Sequence, residues 1–111
     1  MASKFEVFED RAGEFRFRLK AANGETILTS EGYTAKTAAL KGIESVRVNA
    51  ADECRFEAIS EKRGAHRFNL KAGNHQIVGT SELYTSKRGR DKGMKAVSTA
   101  AREARVVDLT R

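Results

Sequence analysis

Sliding this chain against itself by 51 residues brings its two halves into register without a gap, and that repeat constrains the fold more than any other feature. Phe5-Glu6 falls on Phe56-Glu57, Gly13 on Gly64, and Arg16-Phe17 on Arg67-Phe68. Leu19-Lys20-Ala21 and Asn23 fall on Leu70-Lys71-Ala72 and Asn74. Thr29-Ser30-Glu31, Tyr33-Thr34 and Lys36 meet Thr80-Ser81-Glu82, Tyr84-Thr85 and Lys87. Lys41-Gly42, Val46 and Ala50 meet Lys92-Gly93, Val97 and Ala101. These are 19 identities over the 46 positions from residue 5 to residue 50. Unrelated segments of average composition would share roughly three. Duplication of one unit accounts for the excess.

Each copy spells the same order of elements. Phe5-Glu6-Val7-Phe8 reads as a short strand and the segment around Gly13 as a turn. Phe15 to Ala21 alternates apolar and polar residues, the period of a half-buried strand. Asn23-Gly24 signals a two-residue hairpin, and Thr26-Ile27-Leu28-Thr29 a third strand. Thr34 is the expected N-cap of a helix running to about Ala50. Its apolar or small positions Ala39, Gly42, Ile43, Val46 and Ala50 recur at spacings of three and four. Gly42 and Gly93 fall mid-helix, where glycine costs about 1 kcal/mol against alanine, so close approach of helix and sheet is expected there.

A partial third copy follows. Phe56-Glu57-Ala58-Ile59 maps onto Val107-Asp108-Leu109-Thr110. The unit is therefore three strands, a helix and a closing strand. Residues 55–59 close the first copy (5–55) and open the second (56–110). One unit alone leaves strand edges unpaired, whereas two complete each other in one sheet. The expectation is a single α+β domain over residues 1–111: two tandem β-β-β-α-β repeats with pseudo-two-fold symmetry.

The 111 residues are 40% hydrophobic and 32% charged, which suits a globular chain with one core. The longest apolar runs are too short to cross a bilayer, and the acidic start MASKFEVFEDR does not resemble a signal peptide. A single cysteine, Cys54, excludes an internal disulfide; it is expected to be small and at least half-buried. A cytoplasmic location fits these features. The net charge of +6 is unevenly placed. Residues 1–53 hold 8 Lys/Arg against 9 Asp/Glu, and residues 54–111 hold 13 against 6.

The motifs F-E-V…G-E-F-R-F-R-L-K-A-A-N-G-E, I-L-T-S-E-G-Y-T and K-G-I-E-S-V-R resemble the YegP-like family of small bacterial proteins of uncharacterised function. The second N-L-K-A…T-S-E-x-Y and the terminal V-V-D-L-T extend the resemblance over the whole chain. It implies one mostly antiparallel sheet with both helices on one face and closing strands exchanged between the copies. It also implies a monomer for a tandem chain, and no established activity or catalytic residue. The second helix opens here on a more basic segment than the resemblance leads one to expect.

Three groups of residues are candidates for a site. The first is the basic cluster Lys87, Arg88, Arg90, Lys92 and Lys95, where the first copy has the apolar Thr37-Ala38-Ala39-Leu40. Cations are unfavourable at a helix N-terminus, so local stability does not explain the exchange; a phosphate, nucleic-acid or acidic-protein contact does. The second is the open sheet face, where alternation places Arg16, Arg18, Lys20, Arg67 and Lys71. The strand aromatics fall on the opposite, core face, so base stacking is not offered there. The third is the recurrent Ser-Glu-x-Tyr-Thr-x-Lys at residues 30–36 and 81–87, catalytic in appearance but placed alike in both copies, as a structural element would be. His66 replaces the core-facing Phe15 and His75 replaces Gly24 in the hairpin turn. With Cys54 they give no metal-site spacing, and no cofactor is expected. The favoured reading is a non-enzymatic binding or accessory module with an anionic partner. The alternatives are an enzyme using the Ser-Glu-x-Tyr-Thr-x-Lys segments, and a structural or stress accessory protein without a ligand.

Overall fold

A computed structural model of the chain describes residues 2–110. Among them the elements run β1 (Lys4–Glu9), β2 (Phe15–Lys20), β3 (Thr26–Thr29), α1 (Lys36–Asn49), β4 (Phe56–Ser60), β5 (His66–Lys71), β6 (Ile77–Thr80), α2 (Lys87–Glu103) and β7 (Arg105–Asp108). The strands form one sheet in the order β4-β5-β6-β3-β2-β1-β7. All neighbours are antiparallel except β7, which lies parallel to β1. The exchange of closing strands is visible in this order. β4 leaves α1 of the first copy and pairs with β5 of the second, while β7 leaves α2 and pairs with β1 of the first.

The two copies meet where β3 pairs with β6, and the paired residues are Thr29 and Thr80. They occupy the same place in the repeat, so the pseudo-two-fold axis passes between them. The neighbours of that pair are no longer equivalent. Leu28 is fully buried, whereas its counterpart Gly79 has no side chain. A Cβ on Gly79 would lie 2.6 Å from Leu28 Cδ2 and 2.7 Å from its Cγ. One copy supplies the knob and the other the hole.

Alternation in β2 and β5 turns Phe17, Leu19, Phe68 and Leu70 inward, where they join Phe5, Val7, Ile43, Val46 and Val97 in one core spanning both copies. Both helices cover this face. Gly42 and Gly93 are the points of closest approach. A Cβ on Gly42 would meet Phe17 Cε2 and Tyr33 Oη, each at 2.8 Å, and a Cβ on Gly93 would collide with Tyr84 Oη. Tyr33 stacks on Phe17 and Tyr84 on Phe68, with ring planes 12° and 13° apart. The helix C-termini are closed by each other's copy. Arg47 of α1 donates to the Ala101 and Ala104 carbonyls at 2.8 and 2.6 Å, and Ser98 of α2 donates to the Ala50 carbonyl at 2.6 Å.

Three local expectations are corrected. The helix caps are Ala35 and Ser86, not Thr34 and Thr85, and of the two only Ser86 accepts a hydrogen bond, from Gly89 N–H. The reason is that Tyr33 and Tyr84 exchange backbone hydrogen bonds with Phe15 and His66, which keeps the chain extended for two more residues. The Asn23-Gly24 turn is a three-residue connection closed by Ala21 N–H on the Glu25 carbonyl, with left-handed backbone only at Gly24 (φ 87°). A two-residue type I′ turn would need both central residues there. Cys54 is exposed, because it lies in the turn at residues 53–55 that leads out of α1, not in the strand.

Candidate polyanion-binding site

The open face of the sheet is basic in sequence and neutralised in structure. Arg16 pairs with Asp10 (2.6 Å), Arg18 and Lys20 with Glu6 (2.7 and 3.5 Å), Arg67 with Glu61 (2.6 Å), and Lys71 with Glu57 (3.0 Å). Glu6 is buried beneath Lys4, Arg18 and Lys20. Burial pushes its pKa up, but the hydrogen bonds and charges of these cations outweigh it and hold the carboxyl below its usual range. The strand aromatics do not all face the core as alternation in β2 and β5 led one to expect: Phe8 of β1, directly opposite Arg16, lies half-buried on the open face, and Arg18 covers its ring at 4.5 Å from the centroid. All five candidates on this face thus have a carboxylate partner within the fold.

The basic cluster of the second helix behaves differently, and the structure divides it. Arg90 takes the place of the buried Ala39 of the first copy and turns toward the sheet, its side chain only 11% exposed. It donates to Asp91 (3.3 Å) and to Ser60 Oγ (3.4 Å), which itself lies 3.0 Å from Nδ1 of the half-buried His66. Lys87, Arg88, Lys92 and Lys95 point to solvent, and none of them pairs with a described carboxylate.

Helical geometry at 100° per residue assembles these side chains into a stripe. Arg88, Lys92, Lys95 and Arg102 fall within an arc of about 80° and span about 21 Å along the axis at 1.5 Å per residue. Arg102, exposed and without an ion-pair partner among the described residues, belongs to the stripe although it lies outside the cluster. The spacing 88, 92, 95, 102 is the signal that marks it. Asp91 and Glu103 stand at the margins of the stripe. The corresponding positions of the first copy are Thr37, Lys41 and Glu44 in α1 and Ala51 just beyond it, so the stripe is confined to the second copy.

The Ser-Glu-x-Tyr-Thr-x-Lys segments are engaged in holding the fold. Ser30 Oγ accepts from Phe17 N–H and donates to the Glu31 carbonyl; Ser81 Oγ does the same with Phe68 and Glu82. Burial, and then the neighbouring Glu31 or Glu82, raises the pKa of Tyr33 and Tyr84, which keeps both phenols protonated. Lys36 Nζ donates to Asp108 at 2.7 Å and to Thr110 Oγ at 3.1 Å. Among the described residues, His, Cys, Asp and Glu do not gather into a metal-binding group.

The tandem arrangement matches a known pattern twice. The family described as Domain of unknown function (DUF1508) aligns with residues 10–57 and again with residues 61–108. The chain belongs to the DUF1508 family. A relative from Stutzerimonas stutzeri, the UPF0339 protein in the ptx operon 5′ region, is 52% identical over 98% of both chains. The solution NMR structure of the UPF0339 protein SO3888 from Shewanella oneidensis superposes with a TM-score of 0.93 at 45% identity, over 99% of this chain and 93% of that one. YegP from Escherichia coli, a protein of unknown function, gives 0.93 at 48% identity over 99% and 95%. The YegP-like resemblance and the α+β tandem architecture are thereby established. No helix of the described residues of this DUF1508 chain is long and apolar enough to cross a membrane.

Proposed function

We propose that this DUF1508 chain is a non-enzymatic binding module that holds the phosphate backbone of a nucleic acid along the outer face of α2. The observation that carries this reading is the contrast between the two basic surfaces. The sheet-face cations are consumed by Glu6, Asp10, Glu57 and Glu61, whereas Arg88, Lys92, Lys95 and Arg102 stand in line on one helix face without such partners. A helix face of this length meets successive phosphates of one strand. The phenylalanine rings are all buried or half-buried, so the contact is with backbone and not with unstacked bases. Engagement of both Ser-Glu-x-Tyr-Thr-x-Lys segments in packing supports the absence of a catalytic role.

Four phosphate contacts give a salt slope of about −3.6, hence a loss of about 150-fold in affinity between 50 and 200 mM salt. The test is fluorescence anisotropy of a labelled 20-base-pair duplex across that range. Arg88→Glu combined with Lys95→Glu is expected to abolish binding at 50 mM salt while the far-UV spectrum and melting temperature stay unchanged. Binding that survives this double reversal, or that lacks salt dependence, refutes the reading.

A further inference from the structure

The two edges of the sheet are related by the pseudo-two-fold axis, yet only one of them is covered. On β1 the outer edge receives β7: Phe5 pairs with Val106, Glu6 with Val107 and Val7 with Asp108, and Leu109 N–H donates to the Val7 carbonyl at 2.8 Å. The seat is closed at its end by charge, because Asp108 accepts from Lys36 Nζ at 2.7 Å. Phe5, Glu6 and Val7 are buried. On β4, the equivalent strand, the outer edge has no neighbour in the sheet order among the described residues. The equivalent residues Phe56, Glu57 and Ala58 are half-buried, exposed and exposed. Lys87, the counterpart of Lys36, is exposed and has no carboxylate partner among the described residues.

The asymmetry follows from connectivity. After α1 the chain turns at residues 53–55 directly into β4 itself, so no part of the first copy remains to lie outside β4. After α2 the chain passes beyond β1 and lies on its far side. The second seat is thus retained in its edge strand and its lysine while the strand that would fill it has been absorbed into the sheet. An edge strand with open N–H and C=O groups is a template for strand addition.

We propose that the outer edge of β4, with Lys87, binds an extended, mainly aliphatic segment of another protein that carries one carboxylate, as a parallel eighth strand. The first copy defines the chemistry of that segment: two aliphatic residues, then a carboxylate facing Lys87, then a hydroxyl side chain two residues later, as in Val106-Val107-Asp108-Leu109-Thr110. The Ala58 carbonyl takes the part that the Val7 carbonyl plays on β1. A second copy of this chain is a poorer donor, because its own β7 is already paired and would have to give up an equal set of hydrogen bonds. The seat is separate from the helix stripe, since Lys87 projects about 100° around α2 from Arg88.

The test uses the full ¹⁵N-labelled chain and a synthetic peptide Ala-Arg-Val-Val-Asp-Leu-Thr-Arg. Amide shifts are expected at Phe56–Ser60 and Lys87, saturating at one peptide per chain. Lys87→Glu, or Lys in place of the peptide's Asp, is expected to weaken binding about three- to ten-fold, and the two reversals combined are expected to restore it. Lys87 is exposed, so the variant keeps the fold, and unchanged shifts elsewhere verify this. The proposal is overturned if Phe56–Ser60 stay unmoved at millimolar peptide, if the shifts fall on β1 and β2 instead, or if the combined reversal does not restore binding. Concentration-dependent self-association that protects the same amides without peptide assigns the edge to a second copy and also overturns it.

Discussion

The complementarity of Leu28 and Gly79 across the pseudo-two-fold axis makes a quantitative prediction about how the two copies hold together. Replacing Gly79 by alanine places a Cβ within 2.6–3.1 Å of three atoms of a fully buried leucine. The strand and its neighbours cannot yield without moving the β3–β6 junction, so a loss of about 2 kcal/mol is expected from overpacking. Leu28→Ala removes a fully buried side chain at the same point and is expected to cost about 3 kcal/mol. At about 2.1 cal/mol/K per residue, a chain of this length loses about 4 °C for each kcal/mol. The single variants should therefore melt about 8 and 12 °C below the parent chain. In the double variant Leu28→Ala/Gly79→Ala the new Cβ enters space the leucine has vacated. The overpacking cost is then removed, and the double variant should melt close to Leu28→Ala alone, a coupling of about 2 kcal/mol. The assay is thermal or urea unfolding of the four proteins, analysed as a double-mutant cycle. Additive losses, with the double variant melting about 20 °C low, would refute the knob-and-hole account of the axis.

Other outcomes follow from the same structure. Gly93→Ala gains about 1 kcal/mol of helix propensity but drives a methyl into Tyr84; a net loss of about 1–2 kcal/mol is expected in urea titration, with a smaller loss in a Tyr84→Phe background. Arg47→Lys is expected to destabilise by about 1–2 kcal/mol, because the Ala101 and Ala104 carbonyls are bound by two separate guanidinium nitrogens held in a planar fork, which the shorter, single-nitrogen lysine does not reproduce; unfolding no different from the parent would count against a capping role. Asp108, held low by the Lys36 ammonium and by Thr110, and Glu6, Asp10 and Glu57 all have folded pKa values below their ordinary ones. Their ion pairs contribute fully above unfolded pKa values of about 3.9 to 4.3 and are lost as pH falls through the lower folded values. The melting temperature should hold steady above about pH 5 and fall progressively below about pH 4, with Lys36→Met reducing the drop at the acid end; a melting temperature that rises on acidification contradicts this.

Strand positions were legible because alternation in Phe15–Lys20 and His66–Lys71 coincides with burial against a single core. The helix faces were legible for the same reason in α1, where Ala39, Gly42, Ile43 and Val46 are buried as their spacing predicts. The helix starts were not, because Thr34 and Thr85 look like caps and only the pairing of Tyr33 with Phe15 and of Tyr84 with His66 delays the turn. In the candidate site, Arg88, Lys92 and Lys95 were visible as a run of charge. Arg90 belonged to that run in sequence but lies 200° from Arg88 around the helix, on the side that packs against the sheet. Neutralisation of the open face was hidden because Arg18 and Lys20 meet Glu6 from a neighbouring strand. The knob at Leu28 has no signature either, since its partner is brought to it only when β3 and β6 join.

The parallel pairing of β1 with β7 makes the first strand of this chain wait for the last. Ser3 Oγ donates to the Ala100 carbonyl across 97 residues, and Lys4 aligns with Arg105. Contacts of such sequence separation demand loop closure before they reward it, so they form late and slow the search. During synthesis the outer edge of β1 is therefore bare until residues 105–108 emerge. Pairing of β7 with β1 is the event that closes this margin of the sheet, and removing residues 105–108 would leave the sheet with two adhesive margins in the place of one.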